Sequence, residues 1–318
     1  MKKTNTPIFK KISIIGGAGG VGSTLAFYLG LKDLAAQINL IDVRVNVLAT
    51  HIIDLRECFS QECSTNVTTG DWGSLADSQV VLMTASRAAG PVTSRDEYLE
   101  KNLAIVAEAA KAIKENAPEA MVIVATAPTD VFTLVFQDIW AGDRHRLLGF
   151  CRNDSQRFRW ALGQVLKVDP RRLDGLVIGE HGQKQVPIYS TVTLDENRYP
   201  LTINQKNQTQ KILDDWYGHW QAQNSGRTTT WTSATSLYRT LRSLAGQSSE
   251  TLMGSVVLEG EYGLSGVALG LPLKPGPLGW SEVVELSLTM DEKRLLALSA
   301  ENVKRIHKSA LALQAKNP

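Results

Sequence analysis

Cysteine is scarce in this chain: Cys58, Cys63 and Cys151 are the only three in 318 residues. They form no Cys-x-x-Cys pair and have no histidine at zinc-finger spacing. So sparse and odd a set reads as reduced thiols rather than a disulfide frame, and it points to the cytoplasm. Long apolar runs are missing too. No stretch approaches the ~18 residues of a membrane-spanning helix. The first apolar run, Ile12–Ile15, breaks at once into glycines, unlike a signal-peptide core. An excess of either charge is also lacking, since 34 Lys and Arg face 32 Asp and Glu for a formal net charge of +2. The basic residues are scattered, with no Lys/Arg run interleaved with aromatics, so neither a nucleic acid nor a membrane is an expected partner. Internal repeats and low-complexity tracts are absent as well.

What is present is a globular composition, 43% hydrophobic, over a length that suits two ordinary domains. Up to residue 150, short runs rich in Val, Ile and Leu (Lys11–Ile15, Ile38–Ile41, Val80–Thr84, Met121–Ala125, Leu147–Phe150) alternate with helical patterns (Val21–Leu31, Asn46–Leu55, Asp96–Glu115, Val131–Trp140). Continuous apolar runs fit strands buried on both faces, and the alternation predicts a Rossmann-type doubly wound parallel sheet. Beyond that point the rhythm changes to a helix, shorter mixed strands and helices again, as in an α+β domain. The expected division is therefore 1–150 and 151–318. Polar stretches at Asn204–Thr209, Gln223–Thr230 and Gly246–Glu250 read as loops or helix ends. The last segment opens on a capping box, Thr289 to Glu292, and its stripe of Leu296, Val303, Ile306, Ala310 and Leu313 suits a long docked helix.

Gly17-Ala18-Gly19-Gly20-Val21-Gly22 is a G-x-G-x-x-G run between a strand and a helix. Glycines there let the chain turn tightly and bring backbone N–H groups close to a pyrophosphate at the helix N-terminus. Asp42 closes the second strand twenty residues after Gly22. It either caps a strand end or accepts both ribose hydroxyls of an adenosine, which favours NAD over NADP. Further on, Asp154 and Arg157 lie four residues before Phe158 and Ala161 and so extend the apolar stripe of a helix over Asn153–Leu166. Two charges on a core-facing stripe mark either a site or a helix start with a local i,i+3 ion pair. His181, in Gly179-Glu180-His181-Gly182, follows the apolar run Leu176–Ile178. On such a glycine-flanked loop it is free to enter a cleft and exchange a proton near neutral pH, although a lone histidine is more often structural.

Taken together, these segments resemble the lactate/malate dehydrogenase family along nearly the whole chain. The matching stretches are IIGGAGGVGS (14–23), NLIDV (39–43), SRDEYLEKN (94–102), NDSQRFR (153–159), GEHG (179–182) and YGLSGVALGLP (262–272). The resemblance implies an NAD-dependent oxidoreductase that interconverts a 2-hydroxy acid and its 2-oxo acid, assembled as a homodimer or homotetramer. It implies His181 as the acid/base, Asp154 as the group that orients it, and Arg157 as the clamp on the substrate carboxylate. Arg95, in the segment Ser86–Asp96, would polarise the reacting carbonyl from a mobile loop that closes over the substrate. Gly17, Gly19, Gly20, Val21, Gly22, Asp42, Thr84, Ala85 and Ala127 would line the cofactor. Thr229 resembles a family position near the substrate, or is an ordinary loop threonine. Asn102 matches a family position to which no chemistry is assigned.

The chain departs from that family at two places. Where the family reads Asn-Pro-Val-Asp after the strand Met121–Ala125, this chain has Ala127-Pro128-Thr129-Asp130. Losing that asparagine as a donor to the reacting oxygen would cost roughly 1–3 kcal/mol, about tenfold to a hundredfold in rate, unless Thr126 or a water substitutes. Ala89, six residues before Arg95, stands where malate enzymes carry arginine and lactate enzymes glutamine. Alanine offers neither charge nor amide, so the substrate side chain is expected to be atypical, and Arg87 could reach in towards a second carboxylate. Two other readings stay open: a non-catalytic dinucleotide binder acting as sensor or assembly partner, and an NAD- and metal-dependent glycosidase, which would need a metal-binding companion for Cys151.

Overall fold

The computed structural model describes residues 7–87, 95–277 and 279–316. The first half runs β1 (Phe9–Ile15), α1 (Gly20–Leu31), β2 (Ala35–Ile41), α2 (Val45–Glu62), β3 (Asn66–Thr69), β4 (Val80–Met83), α3 (Arg95–Asn116), β5 (Met121–Val124), α4 (Thr129–Trp140) and β6 (Leu147–Gly149). These six strands lie in the order β3-β2-β1-β4-β5-β6, and every neighbouring pair is parallel. All residues of β4 and β5 are buried, as continuous apolar strands covered on both faces must be. The sheet is thus the expected doubly wound one. Its strand order reverses between β1 and β4, which opens a crevice at the carboxyl ends of these two strands.

The second half contains α5 (Arg152–Leu166), β7 (Leu173–Asp174), β8 (Val177–Gly179), β9 (Gln185–Pro187), β10 (Thr193–Leu194), β11 (Asn197–Arg198), α6 (Ile203–Ala222), α7 (Thr230–Leu244), β12 (Leu252–Glu259), β13 (Ser265–Gly276), β14 (Gly279–Val283) and α8 (Met290–Lys316). The large sheet continues across the change of rhythm: β12 lies antiparallel to β6 with Ser255 opposite Gly149, followed by β13, β8 and β9. A three-stranded sheet of β7, β10 and β11 stands apart. It shares a second core with α5 and α6, built from Phe158, Leu162, Leu173, Val192 and Leu213.

The helices sort onto two sides, α1 packing on α2 and α7, and α3 on α4 and α8. Helix α2 runs seven residues beyond the expected end at Leu55, because Phe59 is buried against Gly30 of α1 and extends the apolar face by a turn. The polar stretch Asn204–Thr209 is the first turns of α6, started by a capping box between Thr202 and Gln205. The box expected at Thr289 is present: Glu292 N–H donates to Thr289 Oγ1 at 3.2 Å, and Thr289 N–H to Glu292 Oε2 at 2.9 Å. Glu292 also accepts from Ser190 Oγ at 2.9 Å, tying the start of α8 to the chain after β9.

The turn from β1 into α1 begins one residue before the G-x-G-x-x-G run. Gly16 has φ +91°, and a Cβ there would come within 2.5 Å of the Ala85 backbone nitrogen. A Cβ on Gly17 would lie 2.8 Å from Leu40 Cβ, so the turn is wedged between the ends of β2 and β4. Gly16→Ala therefore combines left-handed strain with a backbone collision, and is expected to lower the unfolding free energy by about 2–4 kcal/mol. Urea denaturation checks this; an unchanged midpoint would mean the turn relaxes freely.

Candidate active site

The cofactor end is built from the three segments that meet at the switch point. Ser23 N–H donates to Gly19 C=O as the first bond of α1, which leaves the preceding N–H groups of the helix to point outward. Thr84 Oγ1 donates to Ile15 C=O at 2.9 Å, locking the end of β4 to β1. Asp42 lies at the end of β2 with its side chain 7% exposed. Its Oδ2 accepts from Ala18 N–H at 3.0 Å, and its Oδ1 from Arg44 N–H at 2.9 Å. The carboxylate therefore braces the glycine turn and keeps lone pairs for a diol. A Cβ on Gly20 would lie 2.7 Å from Thr230 Cγ2, so the first turn of α7 abuts the glycine turn. This cradle of glycines, free N–H groups and a carboxylate fits a dinucleotide.

The second centre gathers side chains from α5 and the loop after β8. His181 Nδ1–H donates to Asp154 Oδ2 at 2.6 Å, and Arg157 Nη1 lies 3.4 Å from Asp154 Oδ1. Asp154, 6% exposed, is thus more than half of a local ion pair: its short contact is with His181, 27 residues away. Burial pushes the His181 imidazole down, but the Asp154 carboxylate and its hydrogen bond outweigh this and hold it above its ordinary value, with Asp130 adding to the rise. With Nδ1 committed to the carboxylate, Nε2 is the nitrogen left to exchange a proton. Burial pulls the Arg157 guanidinium below its ordinary value, against Asp154.

Sequence reasoning missed the residues that hold this loop in place. Gly179 has φ +87°, and a Cβ there would lie 2.7 Å from Ser299 Oγ of α8. Glu180 N–H donates to that same Ser299 oxygen at 2.6 Å, and Glu180 Oε2 accepts from Asn302 Nδ2 at 2.8 Å. His181 N–H donates to Asp130 Oδ2 at 2.7 Å, while Ser255 Oγ donates to Asp130 Oδ1 at 2.6 Å. Asp130 is 2% exposed, and burial raises its carboxyl to about 6 against these hydrogen bonds. The signal was partly visible, since a charge in the apolar opening of α4 needs partners; which partners they are depends on elements far away in the sequence.

The remaining candidates are placed unevenly. Ala89 lies outside the described residues, and Arg95 is the first residue of α3. Arg87 is exposed, and its N–H donates to Asn102 Oδ1 at 2.8 Å. Asn102 is 1% exposed and its amide also faces Ala127 C=O at 3.5 Å, so it ties the chain after β4 to the chain after β5. Thr126 cannot stand in for the missing asparagine. It is buried, and its hydroxyl donates to Ala85 C=O at 2.8 Å. Ala85 is half-buried there, and Ala127 is exposed. Thr229 directly precedes α7 without a capping hydrogen bond from its side chain; its Oγ1 lies 3.1 Å from Ser233 Oγ, which accepts from Asn153 Nδ2 at 3.1 Å. That chain of contacts ends beside Asp154. Burial pushes the Cys151 thiol far up, helped by Asp154 and Asp130.

Two family models cover the chain. Residues 10–149 match the NAD-binding domain of lactate/malate dehydrogenases, and residues 152–314 match their α/β C-terminal domain. The chain belongs to the lactate/malate dehydrogenase family of NAD-dependent oxidoreductases. Over 299 residues it is 31% identical to a malate dehydrogenase of Halobacterium salinarum, covering 92% of this chain and 97% of that one. Its structure resembles a malate dehydrogenase of Cryptosporidium parvum, with a TM-score of 0.90 at 28% identity, over 96% of this chain and 99% of the other. It also resembles a lactate dehydrogenase of the same organism complexed with lactic acid and NAD, with a TM-score of 0.87 at 26% identity, over 95% and 98% of the two chains. Among the described residues no helix is long and apolar enough to cross a membrane.

The imidazole of His181 should titrate above the ordinary histidine value, and Asp154→Asn should bring it down, because burial is then opposed only by the weaker pull of Asp130. Proton NMR of the ring protons across pH reads this directly. In the parent, the raised value stabilises the fold at pH below the unfolded histidine pKa, and that share is lost as pH rises through the folded one. An unshifted resonance in Asp154→Asn would break the assignment of the pair.

Proposed function

We propose that the chain catalyses the interconversion of an L-2-hydroxy acid and its 2-oxo acid with NAD. The observation that carries this reading is the 2.6 Å contact between Asp154 and His181, beside the Arg157 guanidinium. Arg157 offers a planar fork of N–H donors, which suits the carboxylate common to all such substrates. His181 Nε2 takes the proton of the C2 hydroxyl in the oxidative direction and returns it to the carbonyl oxygen in the reductive one. Bound NAD supplies the other half of the chemistry, accepting the hydride from C2 or returning it. Asp154 keeps the ring in the tautomer that leaves Nε2 free, and it stabilises the imidazolium while the proton is held. Arg95 would support the reacting oxygen. Gly17, Gly19, Gly20, Val21, Gly22, Thr84, Ala85 and Ala127 would line the dinucleotide, with Asp42 on the adenosine ribose and Thr229 at the rim of the substrate space.

The division of labour between residues 1–150 and 151–318 belongs to the same proposal. So does a homodimer or homotetramer, which would cover Val45 and Ile53 of α2 and Trp231 of α7, all well exposed in a single chain. Three free cysteines suit a reducing compartment, and the cytoplasm is the proposed setting. The reading as a non-catalytic binder has less support: an imidazole raised by a buried carboxylate is prepared for proton transfer, which a sensor does not need.

His181→Gln should abolish turnover of every 2-oxo acid accepted while NADH affinity stays near the parent value, since the glycine turn and Asp42 lie in the first half. Stopped assays of NADH oxidation with parallel calorimetry check this, and parent-like turnover would end the mechanism. Reduction needs the imidazolium, so its rate should hold at low pH and fall as pH rises through the His181 value. Asp154→Asn should move that fall to lower pH.

Ala89 is proposed to sit over the substrate's C3 substituent, where a methyl group leaves space and no charge. Ala89→Arg would add a cation able to pair in two prongs with a second carboxylate. The variant should gain at least about tenfold in kcat/KM for oxaloacetate over pyruvate, roughly 1.4 kcal/mol. If the parent already prefers oxaloacetate and the variant leaves that preference unchanged, Arg87 holds the second carboxylate instead.

A further inference from the structure

Arg157 has a neighbour that the family motifs do not contain. Its guanidinium carbon lies 3.8 Å from the ring centroid of Trp216 on α6. Trp216 in turn stacks on Trp220, one turn later, with centroids 5.5 Å apart and planes 18° apart. Trp220 Nε1 donates to the Arg227 carbonyl at 3.0 Å, two residues before Thr229. These contacts link the cation on α5 through two tryptophans to the loop that leads into α7.

A guanidinium presents two faces and an edge of N–H donors. The Arg157 guanidinium carbon lies over the Trp216 indole, and Asp154 Oδ1 stands 3.4 Å from Nη1. The guanidinium is thus held by two separate contacts, one with a ring and one with a carboxylate. The tryptophans contribute little to the core of this half, since the buried residues of α6 are Thr209 and Leu213. Trp216 and Trp220 instead border an open cavity of about 760 Å³, together with Trp160 and Ile212. An indole that is only partly packed, yet lies beneath a largely buried cation, gains a cation–π attraction that favours this placement.

We propose that Trp216, braced by Trp220, is a positioning residue that holds the Arg157 guanidinium in the plane in which its fork meets the substrate carboxylate. The inference rests on the reading of Arg157 as the carboxylate clamp. Trp216 acts through Arg157, so its loss weakens ground state and transition state alike, which appears in KM more than in kcat.

The test is a set of variants assayed with NADH and one accepted 2-oxo acid. Trp216→Leu should raise KM about tenfold, the size of a desolvated cation–π contact, with kcat and NADH affinity close to the parent. Trp216→Tyr keeps a ring face and should restore KM most of the way. In an Arg157→Lys background, which has no plane to stack, Trp216→Leu should add little further rise. If Trp216→Leu does not fold, Trp216→Met refills the volume without a ring and carries the same expectations. An unchanged KM in Trp216→Leu, or equal additive effects in the double variant, would overturn the proposal while Arg157→Lys still raises KM. An unchanged KM in Arg157→Lys would instead overturn the carboxylate reading on which it stands.

Discussion

The site depends on one buried carboxylate. Asp154 has almost no contact with water, and a charge in that position costs several kcal/mol unless partners meet it. Two donors do so: His181 at 2.6 Å from the loop after β8, and Arg157 at 3.4 Å from its own helix. Each partner is altered by the arrangement. The imidazole becomes more basic than it would be in water, and the guanidinium is fixed where its remaining N–H groups can serve a ligand. The imidazole and the guanidinium, the proposed proton carrier and anion clamp, thus share one counter-charge, so both are positioned by the same few atoms.

Holding His181 against Asp154 needs a loop that cannot drift, and that rigidity comes from elements far apart in the chain. Asp130, at the start of α4, grips the His181 N–H and is itself held by Ser255 of β12. Ser299 and Asn302 of α8 hold Glu180, the residue before it. The pairing of β6 with β12 brings these groups into one sheet-and-helix unit. A left-handed glycine at 179 lets the chain turn between them without meeting Ser299. The capping box of α8, with its extra contact to Ser190, fixes the helix that supplies two of these contacts.

The cofactor end shows how a departure from family pattern is absorbed. Thr126 is spent on the Ala85 carbonyl and holds β4 to β5, so it leaves the place of the missing asparagine unfilled. Asn102, buried on α3, reaches both the Arg87 N–H and the Ala127 carbonyl. The backbone around Ala127 is thus kept in order by an amide from another element.

The sequence by itself determined the parts that depend on neighbours along the chain. Apolar runs of four or five residues had to become buried parallel strands, and the glycines after β1 had to turn. The spacing of Asp154 and Arg157 had to place both on the stripe of α5 that carries Phe158 and Ala161. Motif order was enough to indicate the family and to single out His181. Only the tertiary structure decided which groups meet across long separations: Asp130 with Ser255, 125 residues apart, Glu180 with Ser299, 119 apart, and Arg157 with Trp216. Such contacts carry no local periodicity, because they arise where strands and helices from both halves converge on one loop. Gly16 lay just outside the motif for a related reason: what excludes a side chain there is the backbone of β4, not anything adjacent in sequence.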